Sequence, residues 1–393
     1  MGESPDCPAL AAAPAFSYEA WNVTTEPDAR PEARADALAK LLAETGFAGA
    51  RRTPLAGDAS TRRYERLTAA DGRKAILMDA PRSSESPPCP PDADDARRLA
   101  LGWNAVARLA ASRVEAFVAV GAHLARLGFS TPEIYGADIV AGYAVIEDLG
   151  EGLYATLLAA GGDEIALYEA AADVLAVLHP APVPSSLPAP NGVWPLLDYD
   201  RLALRVNADL FVEWLPRAAE DVRIDDKARV RWEGVRDAMI ERALAYPRAF
   251  TIRDYHAENL LWLPQREGVA RVGLLDFQDA VRGWRGWDFS MLLHDARRDV
   301  SPAAAEAAVR RYVARSGADD AALREEIDVL GAINTMRILG IFSRLVSRDA
   351  KPRYRDFMPR EWGHLARILR HPALGETADF VRSVAGARLA AAS

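Results

Sequence analysis

The sequence predicts an α+β fold in which strands concentrate before residue 150 and helices after it. Short apolar stretches separated by turn residues occur between residues 48 and 78 and again between 134 and 146, a pattern typical of strands. From Tyr154 onward, most apolar residues recur at helical spacing. A chain of 393 residues, half of them hydrophobic, can build one large or two medium domains with substantial cores.

The elements of the first 150 residues follow from this pattern. Residues 1–33 are rich in Ala, Pro and acidic side chains and lack periodicity, which predicts a loosely ordered extension. A helix is predicted over 34–45, because its leucines share one face and Gly46 follows as a stop. The predicted strands are 48–54, 62–67, 74–78, 134–137 and 143–146.

Two Pro-rich segments interrupt the helical pattern. Residues 81–95 are predicted to be neither helix nor central strand, since Pro lacks the N–H that both require. Helical periodicity resumes over 97–127, and residues 180–198 form the second Pro-rich segment. The helices predicted in the second half are 168–178, 199–215, 226–246, 302–315, 320–347 and 360–371.

Composition and charge exclude several classes of function. The net charge of -8 gives no electrostatic reason to expect nucleic acid or an acidic membrane surface as a partner. No apolar run reaches membrane-spanning length, and the acidic N-terminus does not resemble a secretory signal. Cys7 and Cys89 have no Cys or His at metal-ligand spacing, so free thiols in a reducing compartment are predicted. We therefore expect a cytoplasmic protein.

The densest group of candidate functional side chains lies around a predicted hairpin. Two apolar runs, 260–263 and 269–275, flank a short turn-forming segment. Folding one run back on the other places Asn259, at the start of the first strand, opposite Asp276, at the end of the second. Asp254 lies in the same mouth. Two carboxylates and a carboxamide are oxygen ligands of the kind that Mg²⁺ shares with substrate phosphates.

This arrangement resembles a known catalytic motif. The order Asp254-x-x-x-x-Asn259, a strand and then Asp276-Phe is similar to the catalytic loop and metal motif of the protein-kinase-like phosphotransferases. His256, and the Asp-Phe-Gln-Asp run that ends at Asp279, are more similar to the aminoglycoside phosphotransferase and choline kinase branch, which acts on small molecules. The resemblance implies a bilobal fold, with a small β-rich N-lobe at 34–149, an insertion in it near 81–112, and a larger, mainly helical C-lobe at 150–393.

The resemblance also implies a role for each side chain in the hairpin mouth. Asp254 is expected to accept or orient the proton of the acceptor hydroxyl, while Asn259 and Asp276 hold Mg²⁺ against the phosphates of ATP. Asp279 fits three roles: beside the metal, in contact with substrate, or in a turn. Asp288 is expected to cap a helix and brace the catalytic loop.

Nucleotide contacts are expected in the N-lobe. The short polar connection 57–61 lies where this family covers the nucleotide phosphates, so Ser60 is a candidate contact. In the family, the backbone that connects the lobes bonds adenine, and Glu147 and Leu149 occupy that connection here.

One expected residue of the N-lobe is absent. The third strand of the family carries a Lys that contacts the phosphates, whereas Met78 or its neighbours occupy that place here. Lys74 lies on the same face of this strand as Met78, but four residues earlier in the sequence. Arg62 or Arg63 could supply the positive charge instead. Glu115, on the following helix, is the candidate partner for such a cation.

Longer motifs narrow the resemblance to a subgroup. They are Gly-Asp-Ala-Ser-Thr-Arg-Arg-Tyr at 57–64, Met-Asp-Ala-Pro at 78–81, residues 253–260, residues 273–280 and Asp-Ala-Arg-Arg-Asp at 295–299. These segments resemble the anomeric N-acetylmuramate/N-acetylglucosamine kinases of bacterial cell-wall recycling, in which the strand Lys is also usually missing. The resemblance covers about residues 38–375. It implies an ATP- and Mg²⁺-dependent kinase that phosphorylates the C1 hydroxyl of an N-acetylated amino sugar, and we expect a monomer.

The acceptor side of the site is less defined by the sequence. Trp194 and Trp214 are either core residues or the flat apolar wall of a sugar pocket. The Arg-rich run 337–355 is predicted to be a solvated face, with recognition of a carboxylate by one of its arginines as the alternative. Two other functions stay open: an aminoglycoside or choline kinase, for which the acidic stretch 319–328 could serve a cationic acceptor, and a catalytically weak nucleotide-binding protein.

Overall fold

The computed structural model describes residues 31–55, 61–82 and 85–392. The five strands predicted in its N-terminal part are present, and they form one antiparallel sheet in the order β1-β2-β3-β5-β4. The first helix, α1, begins three residues earlier than predicted and packs its Leu41 on one face of the sheet. These elements are α1 (Pro31–Glu44), β1 (Arg51–Pro54), β2 (Arg63–Thr68), β3 (Lys74–Asp79), β4 (Ile134–Asp138) and β5 (Tyr143–Glu147).

The central strand β3 is buried on both faces. Leu77 faces the α1 side, while Ile76 and Met78 face the other side, where they pack with Val114 and Phe117 of the helix α4 (Val114–Arg126). The continuous apolar run of β3 follows from this double burial, because alternate residues of a strand point to opposite faces. The sheet is thereby held between two helices.

Two short helices lie between the Pro-rich segment 81–95 and α4. The helical pattern predicted from 97 to 127 is broken, since α2 (Asp95–Leu101) and α3 (Trp103–Ala107) are separated from α4 by residues with positive φ, among them Arg108. Arg98 and Arg108 donate to the carboxylate of Asp200 at 2.7 and 2.6 Å. This segment is therefore tied by buried ion pairs to the helical part of the chain.

The C-terminal part is mainly helical, as predicted. The structure adds α5, α9 and α13, which were not among the individually predicted helices, and a hairpin of β6 (Ser186–Ala189) and β7 (Gly192–Pro195) inside the second Pro-rich segment. The helices are α5 (Tyr154–Ala159), α6 (Glu164–Leu178), α7 (Arg201–Ala218), α8 (Asp226–Ala245), α9 (Arg285–Leu293), α10 (Pro302–Ser316), α11 (Asp320–Ser347), α12 (Met358–Ile368) and α13 (Gly375–Ala391).

The long helix α11 is the centre of this helical part. It is long and apolar enough to cross a membrane by length and composition, contrary to the sequence expectation, yet 67% of its most apolar window is buried inside the protein. It crosses α7 closely at Gly340, where a Cβ would lie 2.4 Å from the carbonyl oxygen of Leu210. Its hydrophobicity is that of a core helix, packed on all sides by other helices.

Two small sheets frame the predicted catalytic region. The strand β8 (Ala249–Thr251) pairs with β11 (Val281–Gly283), and β9 (Leu260–Trp262) pairs with β10 (Val272–Leu274). The second pair is the predicted hairpin, with a short 3₁₀ helix in its turn. The loops between these strands, 252–259 and 275–280, are thereby held side by side.

Candidate active site

The loop that carries Asp254 is braced by Asp288, in the first turn of α9. The carboxylate of Asp288 accepts hydrogen bonds from the backbone N–H groups of Ile252 and Arg253 at 3.0 and 2.8 Å. His179 Nε2 lies 3.2 Å from the same carboxylate. Asp288 has no exposed surface, and Arg253 has a φ of 79°, so the loop is fixed in an unusual backbone conformation. The predicted bracing role of Asp288 is confirmed.

Asp254 projects from this loop into a cavity. Its carboxylate makes no hydrogen bond to the described residues. Burial raises the pKa of Asp254, and the nearby negative charge of Asp276 raises it further, while Arg253 and Arg337 act in the opposite direction. A half-buried carboxylate with a raised pKa and free oxygens is suited to accept a proton from a bound hydroxyl group.

The hairpin brings Asn259 and Asp276 to the same mouth. Leu274 pairs with Leu260, and the next N–H, of Leu275, donates to the carbonyl of Asn259 at 2.9 Å. Asp276 follows with a φ of 55°. The Asn259 Nδ2 amide donates to the carbonyl of Asp254 at 2.9 Å, so the side chain is oriented by the catalytic loop itself.

Asp276 is ionised and paired. Arg62 Nη2 donates to Asp276 Oδ1 at 2.6 Å, and Gln278 Nε2 donates to the same oxygen at 2.9 Å. Burial alone would raise the pKa of Asp276, but the positive charge of Arg62 and these hydrogen bonds outweigh burial and lower the pKa. The carboxylate therefore carries its charge at neutral pH.

The available donor atoms fit Mg²⁺. Asp276 offers a carboxylate, and Asn259 Oδ1 makes no hydrogen bond within the described part of the chain. Over the same residues, no group of three or more His, Cys, Asp or Glu side chains could hold a metal ion. Two oxygen ligands from the protein, with water and phosphate oxygens for the rest, is the usual way in which Mg²⁺ binds beside a nucleotide.

The two candidate phosphate-binding arginines lie on opposite sides of the sheet. Arg62 turns toward Asp276, whereas Arg63, the first residue of β2, is exposed to solvent. Ser60 and the rest of the connection 57–60 lie outside the described residues. Of the predicted N-lobe cations, Arg62 is the one that the described structure brings to the hairpin mouth.

The strand Lys of related kinases has no equivalent here. Met78 is buried in the core, and Lys74 is exposed at the far end of β3. Glu115 pairs instead with Arg82, whose Nη2 donates to Glu115 Oε1 at 2.8 Å. Arg82 follows β3 directly, so a cation still meets the helix glutamate, although it comes from the end of the strand and not from its middle.

Glu147 and Leu149 lie in the connection between the sheet and the helical part. Glu147 ends β5, and its carboxylate accepts from Arg266 Nη2 at 2.7 Å. Leu149 packs over the hairpin at Gly273, where a Cβ would lie 3.3 Å from Leu149 Cδ1. Both predicted residues therefore adjoin the outer side of the β9–β10 hairpin, next to the N-terminal sheet.

Asp279 is held in a structural contact. Its Oδ1 accepts a hydrogen bond from the backbone N–H of Ala110 at 2.5 Å. Burial raises the pKa of Asp279, and the charges of Arg253 and Arg62 oppose that effect. Of the three roles left open by the sequence, this contact favours the turn, and it links the hairpin mouth to the segment before α4.

Neither predicted tryptophan lines the cavity at Asp254. Trp214 is buried in α7, where the guanidinium groups of Arg217 and Arg348 lie 4.5 and 5.6 Å from its ring. Trp194, in β7, borders a separate open groove of about 600 Å³ together with Pro87 and its neighbours. The expectation that these two residues form a sugar wall has no support in this geometry, because helix packing and the Pro-rich segment occupy their faces.

The cavity itself has a volume of about 260 Å³ and joins the hairpin mouth to residues far away in sequence. Asp295 and Arg297, from the Asp-Ala-Arg-Arg-Asp motif after α9, form one wall; Asp295 Oδ2 is buried without a hydrogen-bond partner. In the sequence analysis, this motif was the only feature that indicated a role for these residues. The opposite side includes Arg337 of α11, so the predicted solvated face is wrong for this first arginine of the run 337–355. The other residues of this side were not assigned to the site by the sequence analysis: Ile338, Ile341 and Phe342 of α11, and Phe357.

Comparison with known proteins agrees with this geometry. Residues 51–325 match the phosphotransferase enzyme family known as APH. The chain is 52% identical over 344 residues to the N-acetylmuramate/N-acetylglucosamine kinase of Caulobacter vibrioides, an alignment that covers 87% of this chain and 94% of that protein. It is 30% identical to the N-acetylmuramate/N-acetylglucosamine kinase of Pseudomonas aeruginosa, over 84% of this chain and 88% of that one.

The fold is similar to that of solved kinases of the same superfamily. A choline/ethanolamine kinase family protein from Mesorhizobium loti superposes with a TM-score of 0.54 at 17% identity, over 90% of this chain and 98% of that chain. At this identity the likeness concerns the fold, which is the predicted protein-kinase-like α+β architecture. With its family match over most of the chain and a catalytic loop, hairpin and acceptor cavity in one place, this protein belongs to the APH phosphotransferase enzyme family.

Proposed function

We propose that this protein is an ATP-dependent sugar kinase that phosphorylates the anomeric C1 hydroxyl of N-acetylmuramate, N-acetylglucosamine or both, as a step in peptidoglycan recycling. The observation that carries the proposal is the carboxylate of Asp254, which makes no hydrogen bond to the described residues and lines a cavity together with polar and apolar side chains. The relatives named for this activity align over nearly the whole described chain.

In this proposal Asp254 is the catalytic residue. The C1 oxygen attacks the γ-phosphorus of ATP, a new O–P bond forms, the bond to the β-phosphate oxygen breaks, and ADP leaves. The proton of the C1 hydroxyl group passes to Asp254. An anomeric hydroxyl is more acidic than an ordinary alcohol, so a carboxylate with a raised pKa is a sufficient base.

Asn259 and Asp276 are proposed to hold Mg²⁺, which neutralises charge on the phosphate oxygens when it is bound. Arg62 is proposed as the cation that serves the phosphates in place of the strand Lys. Its guanidinium forms a 2.6 Å ion pair with Asp276, which places a positive charge beside the carboxylate that is proposed to hold the metal. Ser60 is proposed as a phosphate contact from the neighbouring connection.

Adenine is proposed to bind at the backbone of Glu147 and Leu149. Leu149 already covers the hairpin beside this backbone, which offers an apolar surface to a flat ring. Arg63 points to solvent at the other side of the sheet and is not included in the proposed nucleotide site. We place the reaction in the cytoplasm, where ATP is available, and we propose a monomer.

The alternative cationic acceptors lose the site that the sequence offered them. Two carboxylates of the acidic stretch 319–328 are engaged elsewhere: Glu325 pairs with Arg242, and Glu326 pairs with Arg285. The cavity itself carries both signs of charge, with Arg297 and Arg337 beside Asp254, Asp276 and Asp295. The choice of an amino sugar is therefore supported by the relatives, which are N-acetylmuramate/N-acetylglucosamine kinases.

The proposal is tested by a phosphate-transfer assay with Mg-ATP against N-acetylmuramate, N-acetylglucosamine, kanamycin and choline. We expect a sugar 1-phosphate, identified by ³¹P nuclear magnetic resonance. In the Asp254→Asn variant kcat should fall by about 10²–10⁴-fold, the usual contribution of a general base. The matched control is Asp299→Asn, which changes an exposed carboxylate paired with Arg360. Turnover of kanamycin or choline alone would contradict the sugar assignment but not the family.

A further inference from the structure

The cavity contains an arginine without an acidic partner. Arg337 lies in the middle of α11, where its Nη1 donates to Asn334 Oδ1 at 2.8 Å and its guanidinium lies 6.0 Å from the ring of Trp287. Its Nε is buried and makes no hydrogen bond. Within the part of the chain that the structure describes, Arg337 forms no ion pair with a carboxylate.

The arginines around Arg337 differ in this respect. Arg297, on the opposite wall of the cavity, pairs with Glu258 at 2.8 Å. Arg298 pairs with Glu164 at 2.9 Å, and Arg360 pairs with Asp299 at 2.7 Å. Arg337 is thus the member of this group whose charge the protein does not satisfy directly.

An unpaired guanidinium in this position is costly. Burial lowers the pKa of Arg337, although Tyr199 and Asp254 act against the shift, and an arginine keeps its proton at neutral pH. A buried cation is stable only when an anion and hydrogen-bond acceptors replace its water. The cavity lies directly against this cation, so a bound anionic group could supply both.

Arg337 lies in the same cavity as Asp254, where the acceptor hydroxyl is proposed to react. Arg337 and Asp254 line the same cavity of about 260 Å³, and the two charges are close enough to act on each other. An acceptor whose C1 hydroxyl meets Asp254 would therefore place its other ring substituents near α11. Any anionic substituent of a monosaccharide would lie within reach of the guanidinium.

We propose that Arg337 binds the carboxylate of N-acetylmuramate and sets the preference for this sugar over N-acetylglucosamine. The inference rests on the proposed sugar kinase function. N-acetylmuramate carries a lactyl ether on C3, with a carboxylate, where N-acetylglucosamine has a hydroxyl group. A guanidinium can bind a carboxylate through two parallel N–H···O bonds, which gives geometric selectivity as well as energy. Arg337 is a specificity residue and takes no part in bond formation.

The experiment compares kcat/KM for three acceptors: N-acetylmuramate, its methyl ester and N-acetylglucosamine. The ester keeps the bulk of the lactyl group and removes its charge. The variants are Arg337→Gln and Arg337→Lys. The controls are Arg297→Gln, an arginine of the same cavity that already has an acidic partner, and Arg348→Gln, an exposed arginine at the end of α11 that pairs with Asp349.

The wild-type enzyme should prefer the acid to its ester by at least about ten-fold, the size expected for hydrogen bonds to a charged group. In Arg337→Gln the ratio of kcat/KM for N-acetylmuramate to that for N-acetylglucosamine should fall by the same factor, mainly through KM. Arg337→Lys should recover part of the ratio, because it keeps the charge but not the paired donors. Arg348→Gln should leave the ratio unchanged, and Arg297→Gln should change it less than Arg337→Gln does.

Two results would overturn the inference. The first is an equal kcat/KM for the acid and the ester in the wild-type enzyme. This result needs no variant, so it does not depend on whether the variants fold. An equal loss for both sugars in Arg337→Gln would show that Arg337 serves Asp254 or the fold. Failure of the proposed function looks different, since the wild-type enzyme would then phosphorylate neither sugar.

Discussion

The two ends of the cleft around Asp254 are built from different parts of the chain. At the phosphate end, Asn259 and Asp276 come from adjacent strands of one hairpin, and Arg62 is the added cation. At the acceptor end, the walls come from the segment after α9, from the middle of α11 and from the short helix before α12. Phosphate chemistry thus rests on a local motif, whereas the choice of acceptor depends on how distant helices pack.

The substitution with the largest expected effect lies at the phosphate end. Replacing Asp276 with Asn removes the charge that is proposed to bind Mg²⁺ and that pairs with Arg62, with little change in shape. We expect kcat/KM to fall by about 10³-fold, because charge stabilisation is a major part of catalysis in phosphoryl transfer. Calorimetry should show that Mg²⁺ no longer strengthens the binding of ADP.

The same variant should leave the acceptor end intact. Asp276 also lines the cavity, but its charge is paired with Arg62, so binding of N-acetylmuramate, measured without nucleotide, should change far less than kcat/KM. If Asp276→Asn abolished sugar binding as well, the two ends would not be separable, and the comparison would fail.

The contrast between the ends explains what the sequence could predict. Asp254, Asn259 and Asp276 were identified because a hairpin fixes which residues face each other, and hairpins can be read from apolar runs and turn residues. The five strands of the N-terminal sheet were predicted on the same basis. Arg62 could be separated from Arg63 only in the structure, because the sequence does not give the direction of side chains at the start of a strand.

The acceptor end could not be predicted in this way. Arg337 and Phe342 lie in a helix whose sequence is apolar almost all round, so periodicity does not show which face borders a cavity. Trp194 and Trp214 were candidates because pockets favour aromatic residues, but the same residues favour cores. Only tertiary packing, which brings α11 opposite the segment after α9, decides between these possibilities.

An intermediate effect concerns the loop that the two ends share. In Asp288→Asn, an amide N–H₂ group would face the backbone N–H donors of Ile252 or Arg253, in a site without exposed surface. We expect a loss of about 2–4 kcal/mol in the free energy of unfolding. Displacement of Asp254 by the relaxed loop should lower kcat by about 10–100-fold.

A variant of a second buried carboxylate can distinguish the loss of stability from the displacement of the catalytic loop. Glu326, in α11, accepts from the backbone N–H of Gly286 at 2.9 Å and pairs with Arg285, but it does not touch the catalytic loop. Glu326→Gln should cost similar stability in a urea denaturation and leave kcat close to wild type. A comparable fall in kcat in both variants would mean that stability, and not the position of the loop, explains the effect of Asp288→Asn.

The substitution with the smallest expected effect tests the apolar wall at the acceptor end. Phe357 lines the cavity and packs on Phe342, with ring centroids 5.8 Å apart. Truncation in Phe357→Ala should remove part of the apolar wall for the sugar and raise KM for it by about ten-fold, or roughly 1.4 kcal/mol, with KM for ATP unchanged. Tyr354→Ala is the matched control, because Tyr354 belongs to the same aromatic cluster but does not line the cavity. An equal rise in KM for the sugar in both variants would indicate that the aromatic cluster only supports the fold of this wall. The expectation that Phe357 contacts the acceptor directly would then be wrong.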